Sequence, residues 1–216
     1  LFEFLRGDAG FFRGPYLDVK LPFRTAVKGE DIPLDVKPDF PPYQHQLKAF
    51  ERLYSKRGHQ PQQTLVTTGT GSGKTECFLY PVLDYCLRER KAGKKGIKAI
   101  LLYPMNALAS DQARRLAKML WEDERLKGVV SAGLYVGGGG QHGVADKDHL
   151  IDKREHLRQS PPDILLTNYK MLDYLLMRPD DRALWRENGP NSLRYLVLDE
   201  LHTYDGAQGS DVACLI

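Results

Sequence analysis

The sequence has 216 residues, 42% of them hydrophobic and 27% charged, which is a globular composition that excludes wholesale disorder and leaves room for one domain with a real core. The formal net charge of +3, from 31 Lys+Arg against 28 Asp+Glu, permits a nucleic-acid partner without arguing for one. No apolar run approaches the ~18 residues of a membrane span, and three cysteines (Cys77, Cys86, Cys214) without a C-x-x-C pair exclude a disulfide framework or zinc site and point to buried thiols in a reducing compartment, read as the cytoplasm.

Residues 1–40 are rich in Phe, Pro and Gly. Their prolines rule out a long helix, and the alternation of Leu17, Val19 and Leu21 suits a short edge strand. They are expected to form an accessory segment wrapping a domain over residues 41–216. The start at Leu1 rather than Met suggests that both ends are cut from something longer.

From Tyr43 to Lys56, Leu47, Phe50, Leu53 and Tyr54 recur at helical spacing. A β-branched run at Leu65 and Val66 then predicts a first strand, breaking into Gly69, Gly71 and Gly73. A helix is predicted over Lys74–Lys91, kinked by Pro81. Continuous apolar runs predict buried parallel strands at Ala99–Tyr103, Ala132–Val136, Ile164–Leu166 and Leu193–Leu198. Helices are predicted at Ala107–Trp121 and Tyr169–Met177. The stretch from Gly137 to Pro162 reads as a charged loop, with His142, His149 and His156 as surface residues rather than metal ligands. Strands alternating with helices at this spacing predict a doubly wound α/β domain around a mostly parallel, five-stranded sheet.

Two constellations carry chemistry. In TLVTTGTGSGKTECF, a strand, a glycine loop and a helix start come one after another, the arrangement of a phosphate cradle. Glycines let backbone N–H groups of Thr70, Gly71, Ser72 and Gly73 face phosphate oxygens; Lys74 supplies a point charge, and the Thr75 hydroxyl suits Mg²⁺. The match to G-x-x-x-x-G-K-[ST] has one flaw, because Thr68 stands where the first glycine belongs. About 125 residues on, LVLDELH ends an apolar strand in Asp199 and Glu200, placing both carboxylates at the carboxyl edge of the sheet. There Asp199 would hold Mg²⁺ opposite Thr75, and Glu200 would orient and polarise the attacking water.

Together GTGSGKT and DELH resemble the superfamily 2 helicases of the DEAD/DEAH type, over about Phe40 to Ile216. The resemblance implies a RecA-like P-loop NTPase domain that binds ATP and Mg²⁺. It makes Tyr43 and Gln46, in Tyr43-Gln44-His45-Gln46, an adenine-reading element, for which a carboxamide offers both a donor and an acceptor. It adds Glu76 to the nucleotide contacts beside Lys74 and Thr75. It places Pro104, Asn106 and Gln112, in LYPMNALASDQ, on a nucleic-acid backbone, with Gly137, Gly138, Thr167 and Asn168 as further contacts, and His202 as a link between the two sites. The wording LLTNYKMLDYLL and YLVLDELHTYDGAQGSDVACLI is similar to the branch holding YprA/MrfA-type DNA helicases and large anti-phage defence helicases.

What the resemblance implies is the ATP-binding N-terminal part of an ATP-dependent helicase or translocase, acting on DNA in repair or phage defence. An RNA helicase and a non-catalytic ATP- or nucleic-acid-binding module are the alternatives. No S-A-T motif comes after DELH, so a second RecA-like domain with its arginine finger is expected to be supplied by the parent protein. The 216-residue chain alone is expected to be nearly inactive.

Overall fold

The computed structural model describes residues 22–27 and 31–216. The alternation at Leu17, Val19 and Leu21 lies outside the described residues. Four strands, β1 (Ala99–Leu102), β2 (Ala132–Tyr135), β3 (Ile164–Thr167) and β4 (Tyr195–Leu198), form a wholly parallel sheet in the order β2-β3-β1-β4. Their sequences, AILL, AGLY, ILLT and YLVL, are apolar at nearly every position, as a sheet covered on both faces requires.

Alternate residues feed two cores. Ala99 and Leu101 of β1 and Ile164 and Leu166 of β3 meet Leu47 and Phe50 of α1 (Gln44–Leu53), Leu79 and Leu83 of α2 (Lys74–Lys91), and Leu116 and Leu120 of α3 (Asn106–Glu122). Ile100, Leu102 and Leu165 face the other way. They meet Leu157 of α4 (Arg154–Gln159), Met171, Leu172 and Leu175 of α5 (Tyr169–Met177), and Leu184 of a 3₁₀ helix at Pro179–Trp185. The chain ends in a 3₁₀ turn at Leu201–Thr203 and α6 (Gly206–Leu215). Leu34 and Val36 are also buried in the first core, and Asp84 of α2 accepts from the Asp35 and Val36 amides, so the segment before α1 is strapped to α2.

The first strand predicted at Leu65 and Val66 does not form. The hydrogen bonds of its neighbourhood go to α1 instead. The Gln62 amide donates to Arg52 O, and the Arg52 guanidinium holds Gln63 O and the Thr64 hydroxyl at 2.9 and 3.2 Å. Leu65 stays 70% exposed, so the sheet has four strands rather than five among the described residues. Cys77 and Cys86 are buried, but Cys214 is exposed, against the expectation of three buried thiols.

At the amino edge of the sheet, Asp163 is fully buried and draws three strand starts together. It accepts from Lys98 Nζ at 2.6 Å, from Arg90 Nε at 2.7 and 2.8 Å, and from the Ser131 amide and hydroxyl at 2.8 and 3.0 Å. The opposite, carboxyl edge is thereby left to loops, and the predicted site residues gather there.

Candidate nucleotide and nucleic-acid site

The glycine loop folds back on itself. Gly71 and Gly73 have φ of 75° and 72°, in the left-handed region that glycine enters without a Cβ penalty. A Cβ on Gly73 would also collide with Gln46 Nε2. Thr68, the departure from the glycine pattern, bonds its hydroxyl to that of Ser72 at 2.6 Å, so the loop is closed by side chains where a glycine would leave it open. Lys74 Nζ donates to Thr68 O at 2.9 Å and Gly69 O at 3.2 Å. An ammonium has three donors, so one stays available to an incoming phosphate, and the carbonyls can be exchanged for phosphate oxygens. Thr70 and Gly71 are exposed at the tip, while the Ser72 side chain is fully buried.

The Tyr43-Gln44-His45-Gln46 element clamps the far end of this loop. Gln46 is 1% exposed; its Oε1 accepts from the Tyr43 amide at 2.8 Å and its Nε2 donates to Gly73 O at 3.1 Å. One N–H and one lone pair of the carboxamide remain for a ligand. His45 donates from Nε2 to Ser72 O at 2.8 Å, which fixes that nitrogen as the protonated one, and its ring stacks on Tyr43 with centroids 5.6 Å apart. His45 was missed in the sequence; its place between two glutamines beside a glycine loop was the available signal.

Across the sheet edge, the Asp199 amide continues the β1–β4 ladder by donating to Leu102 O at 3.0 Å, and Asp199 Oδ1 accepts from the Glu200 amide at 2.9 Å. Burial holds the Asp199 carboxyl above the usual carboxylate range, the Glu200 charge adds to the rise, and the Lys74 and Arg115 charges oppose it. Glu200 takes φ 50° and ψ 45°, a left-handed backbone that costs a non-glycine residue free energy and recurs where function fixes a side chain. His202 is largely exposed, with Nδ1 3.4 Å from the Glu200 carboxylate, so it touches the carboxylate pair directly. Glu76, on the first turn of α2, is paired with Arg115 of α3 through Oε1, and its Oε2 is buried without a partner.

Of the residues expected at a nucleic-acid strand, Pro104, Asn106, Gly137 and Asn168 line one open groove of about 380 Å³. Asn168 Nδ2 donates to Asn106 Oδ1 at 2.6 Å, joining the loops after β1 and β3, while Asn168 Oδ1 caps α5 by accepting from the Met171 amide. Gly138 is exposed beside them at φ 99°. Gln112 lies further along α3, about 9 Å from Asn106 at the helical rise, and is not part of the groove lining. Thr167 is a correction: it is fully buried and donates its hydroxyl to Tyr135 O at 2.6 Å, so the side chain belongs to the core and not to the strand path. Tyr169, Lys170, Met171, Tyr174 and Gln208 complete the groove and were not foreseen.

The predicted charged loop after Gly137 is folded rather than merely solvated. The His142 and His149 rings stack at 4.1 Å, and each Nδ1 faces a carboxylate, Asp152 at 3.0 Å and Asp146 at 3.1 Å. His156 abuts Gly143, where a Cβ would sit 2.5 Å from the ring.

Known proteins resemble this chain in sequence. The DEAD/DEAH box helicase family matches residues 43–216. Among relatives, the Druantia protein DruE of Escherichia coli (strain UMEA 4076-1) is 28% identical over 81% of this chain and 14% of its own length. The ATP-dependent helicase MJ1574 of Methanocaldococcus jannaschii is 29% identical over 79% of this chain and 22% of its own. The ATP-dependent helicase YprA of Bacillus subtilis (strain 168) is 32% identical over 81% and 20%. The chain thus spans between 14% and 22% of the length of these three relatives. With a glycine loop and an acidic strand end facing each other across a parallel α/β sheet, and a family match over most of its length, the chain belongs to the DEAD/DEAH box helicases and has their first RecA-like fold.

Proposed function

We infer that this chain is the ATP-binding N-terminal portion of an ATP-dependent DNA helicase or translocase working in repair or phage defence. The observation that carries this reading is the shared carboxyl edge. The Asp199–Glu200 pair and the groove of Pro104, Asn106, Gly137 and Asn168 follow the ends of four adjacent parallel strands, and the charge of Lys74, from the glycine loop, reaches Asp199 there.

In this reading the amides of Thr70, Gly71, Ser72 and Gly73 cradle the phosphates of ATP, and Lys74 gives up loop carbonyls for phosphate oxygens. Gln46, held by the Tyr43 amide and Gly73 O, offers its remaining N–H and lone pair to the adenine edge. Glu76 meanwhile holds Arg115 toward the site.

A divalent cation fits the residues present. Asp199 and Glu200 are adjacent carboxylates, one of them partly desolvated, whose mutual repulsion a cation would relieve. Among the described residues no group of three or more His, Cys, Asp or Glu is arranged for a metal. Few protein ligands suit Mg²⁺, which keeps most of its waters and takes the rest of its shell from phosphate. Thr75 and Asp199 would hold it, and when bound it neutralises charge on the phosphates. Glu200 then positions a water and accepts its proton, with His202 against the same carboxylate.

A second RecA-like domain would close the cleft over ATP and bring an arginine finger. The strand would contact this half mainly through phosphates, so affinity should fall as salt rises. The reading puts the protein in the cytoplasm; no helix among the described residues is long and apolar enough to cross a membrane. The test is steady-state phosphate release by the full-length protein with single-stranded DNA, single-stranded RNA or no nucleic acid. DNA-stimulated turnover supports the reading, and turnover indifferent to nucleic acid sinks it.

A further inference from the structure

Two cavities meet at a pair of tyrosines. The groove that holds Pro104, Asn106, Gly137 and Asn168 has Tyr169, Lys170 and Tyr174 in its wall, and a second cavity of about 400 Å³ on the far side shares the same three residues. Tyr174 is 43% exposed at this junction, whereas Met171, Leu172 and Leu175 of the same helix are buried. The Arg178 guanidinium sits 4.5 Å from its ring centroid, and Lys170 Nζ lies 5.8 Å from the ring of Tyr169. Tyr169 is held in turn by the ring of Tyr204, edge-on at 6.4 Å.

Charge differs between the two sides. Lys170 lines both; beside it the groove has backbone and two Asn side chains, which suit phosphate. The far cavity carries the carboxylates of Asp173 and Asp211, which repel it. A strand whose phosphates track the groove would therefore present its bases, not its backbone, to the tyrosines. A nucleobase has a π-face for a ring and amino groups for a carboxylate, and it enters such a place irrespective of sequence.

We propose that Tyr174, with Tyr169 and Lys170, forms a stacking subsite that takes a nucleobase of single-stranded DNA from the groove. This rests on the reading of the groove as a DNA path and adds a base contact to contacts otherwise made to phosphate. Tyr174 supplies the ring, Tyr169 the wall of the turn, and Lys170 the phosphate contact beside it.

The experiment measures binding of the full-length protein to a labelled single-stranded oligodeoxynucleotide, and to the same strand with abasic sites, across a range of salt. Tyr174→Leu should weaken the intact strand at least about 5-fold, the low end of stacking per base, and leave abasic binding unchanged. The slope of affinity against salt should not move, since no phosphate contact is lost. Tyr174→Phe should restore binding, and Lys170→Ala should lower the salt slope by about one. Equal wild-type affinity for intact and abasic strands would overturn the subsite while leaving the DNA path standing. A Tyr174→Leu protein with a lower Tm and unchanged binding would also overturn it, placing the ring under another part of the protein. Absence of salt-dependent binding to either strand would overturn the DNA reading and the subsite together.

Discussion

Removing the Asp163 carboxylate is the most demanding test of how the sheet is held. Asp163→Ala leaves the Lys98 ammonium, with a side chain 2% exposed, facing only Gly96 O at 3.0 Å. It also strips the Ser131 amide of its acceptor and Arg90 of its two-oxygen partner. Breaking a buried pair from one side costs about 3–5 kcal/mol, because the surviving charge is uncompensated. Arg90 is 24% exposed and can rehydrate, so the cost falls mainly on Lys98. In a domain of this size that loss lowers Tm by roughly 6–20 °C, at about 2–4 °C per kcal/mol. Lys98→Met should cost about half as much or less, because Asp163 keeps Arg90 and Ser131 and no charge is stranded. The assay is calorimetry on the full-length protein, following the transition that the substitution moves, with the two variants side by side. A loss below about 1 kcal/mol for Asp163→Ala, or Lys98→Met costing the more, would refute the reasoning.

Lys74→Ala should weaken ATP binding by calorimetry at least about 10-fold, as a charge-assisted contact to phosphate is worth about 1.5–3 kcal/mol; unchanged affinity would remove the cradle assignment. Glu200→Gln should lower DNA-stimulated turnover by about 10²–10⁴ while ATP still binds, since an amide keeps the shape but accepts no proton from water; a normal rate would remove Glu200 as the base. Asp199→Asn should abolish Mg²⁺-supported turnover and yet stabilise the domain at neutral pH. The folded carboxyl titrates above its unfolded range, so ionisation opposes folding as pH rises from about 4. The stability advantage of the Asp199→Asn variant over the parent should vanish in urea melts below that range, and a constant advantage would contradict the cause assigned.

Much of the domain was legible because its elements are strongly patterned. The helices predicted at Lys74–Lys91 and Tyr169–Met177 match α2 and α5 at both ends, one begun by a glycine loop and the other capped by Asn168. The strands were found because buried parallel strands are continuous apolar runs, and their ends shift by two residues at most. Elements without such patterning were missed. Helix α6, GAQGSDVACL, contains two glycines and buries only Val212; α4 is six residues long within a charged loop. The first strand was over-read because β propensity at Leu65 and Val66 supplies no partner, and Arg52 had already claimed the nearby carbonyl. In the site, Thr167 was misplaced although alternation along β3 gives the answer: Ile164 and Leu166 face one core, so Leu165 and Thr167 face the other. Lys74, Asp199 and Glu200 were legible as chemistry, but the Lys74 bonds to its own loop arise from a backbone conformation that no residue pattern encodes.

The glycine loop and the groove at Asn106 and Asn168 are joined by bonded elements rather than by open space. Glu76, on the first turn of α2, holds Arg115 of α3. The first residue of α3, Asn106, accepts from Asn168 Nδ2, and Asn168 caps α5, which carries Lys170 and Tyr174. Such a path transmits a change only if some member has two discrete arrangements that both ligands bias. The glycine loop is the member at which a bound phosphate would make such a difference. Its carbonyls at Thr68 and Gly69 hold the same ammonium that a phosphate would claim, so phosphate entry and loop closure compete for Lys74. Gln46 and His45 grip the other end of that loop through Gly73 O and Ser72 O, and Glu76 lies on the first turn of the helix that follows. A movement of the loop on phosphate entry would therefore fall between that clamp and the first bonded link to the groove, the Glu76–Arg115 pair, whose second carboxylate oxygen has no hydrogen-bond partner.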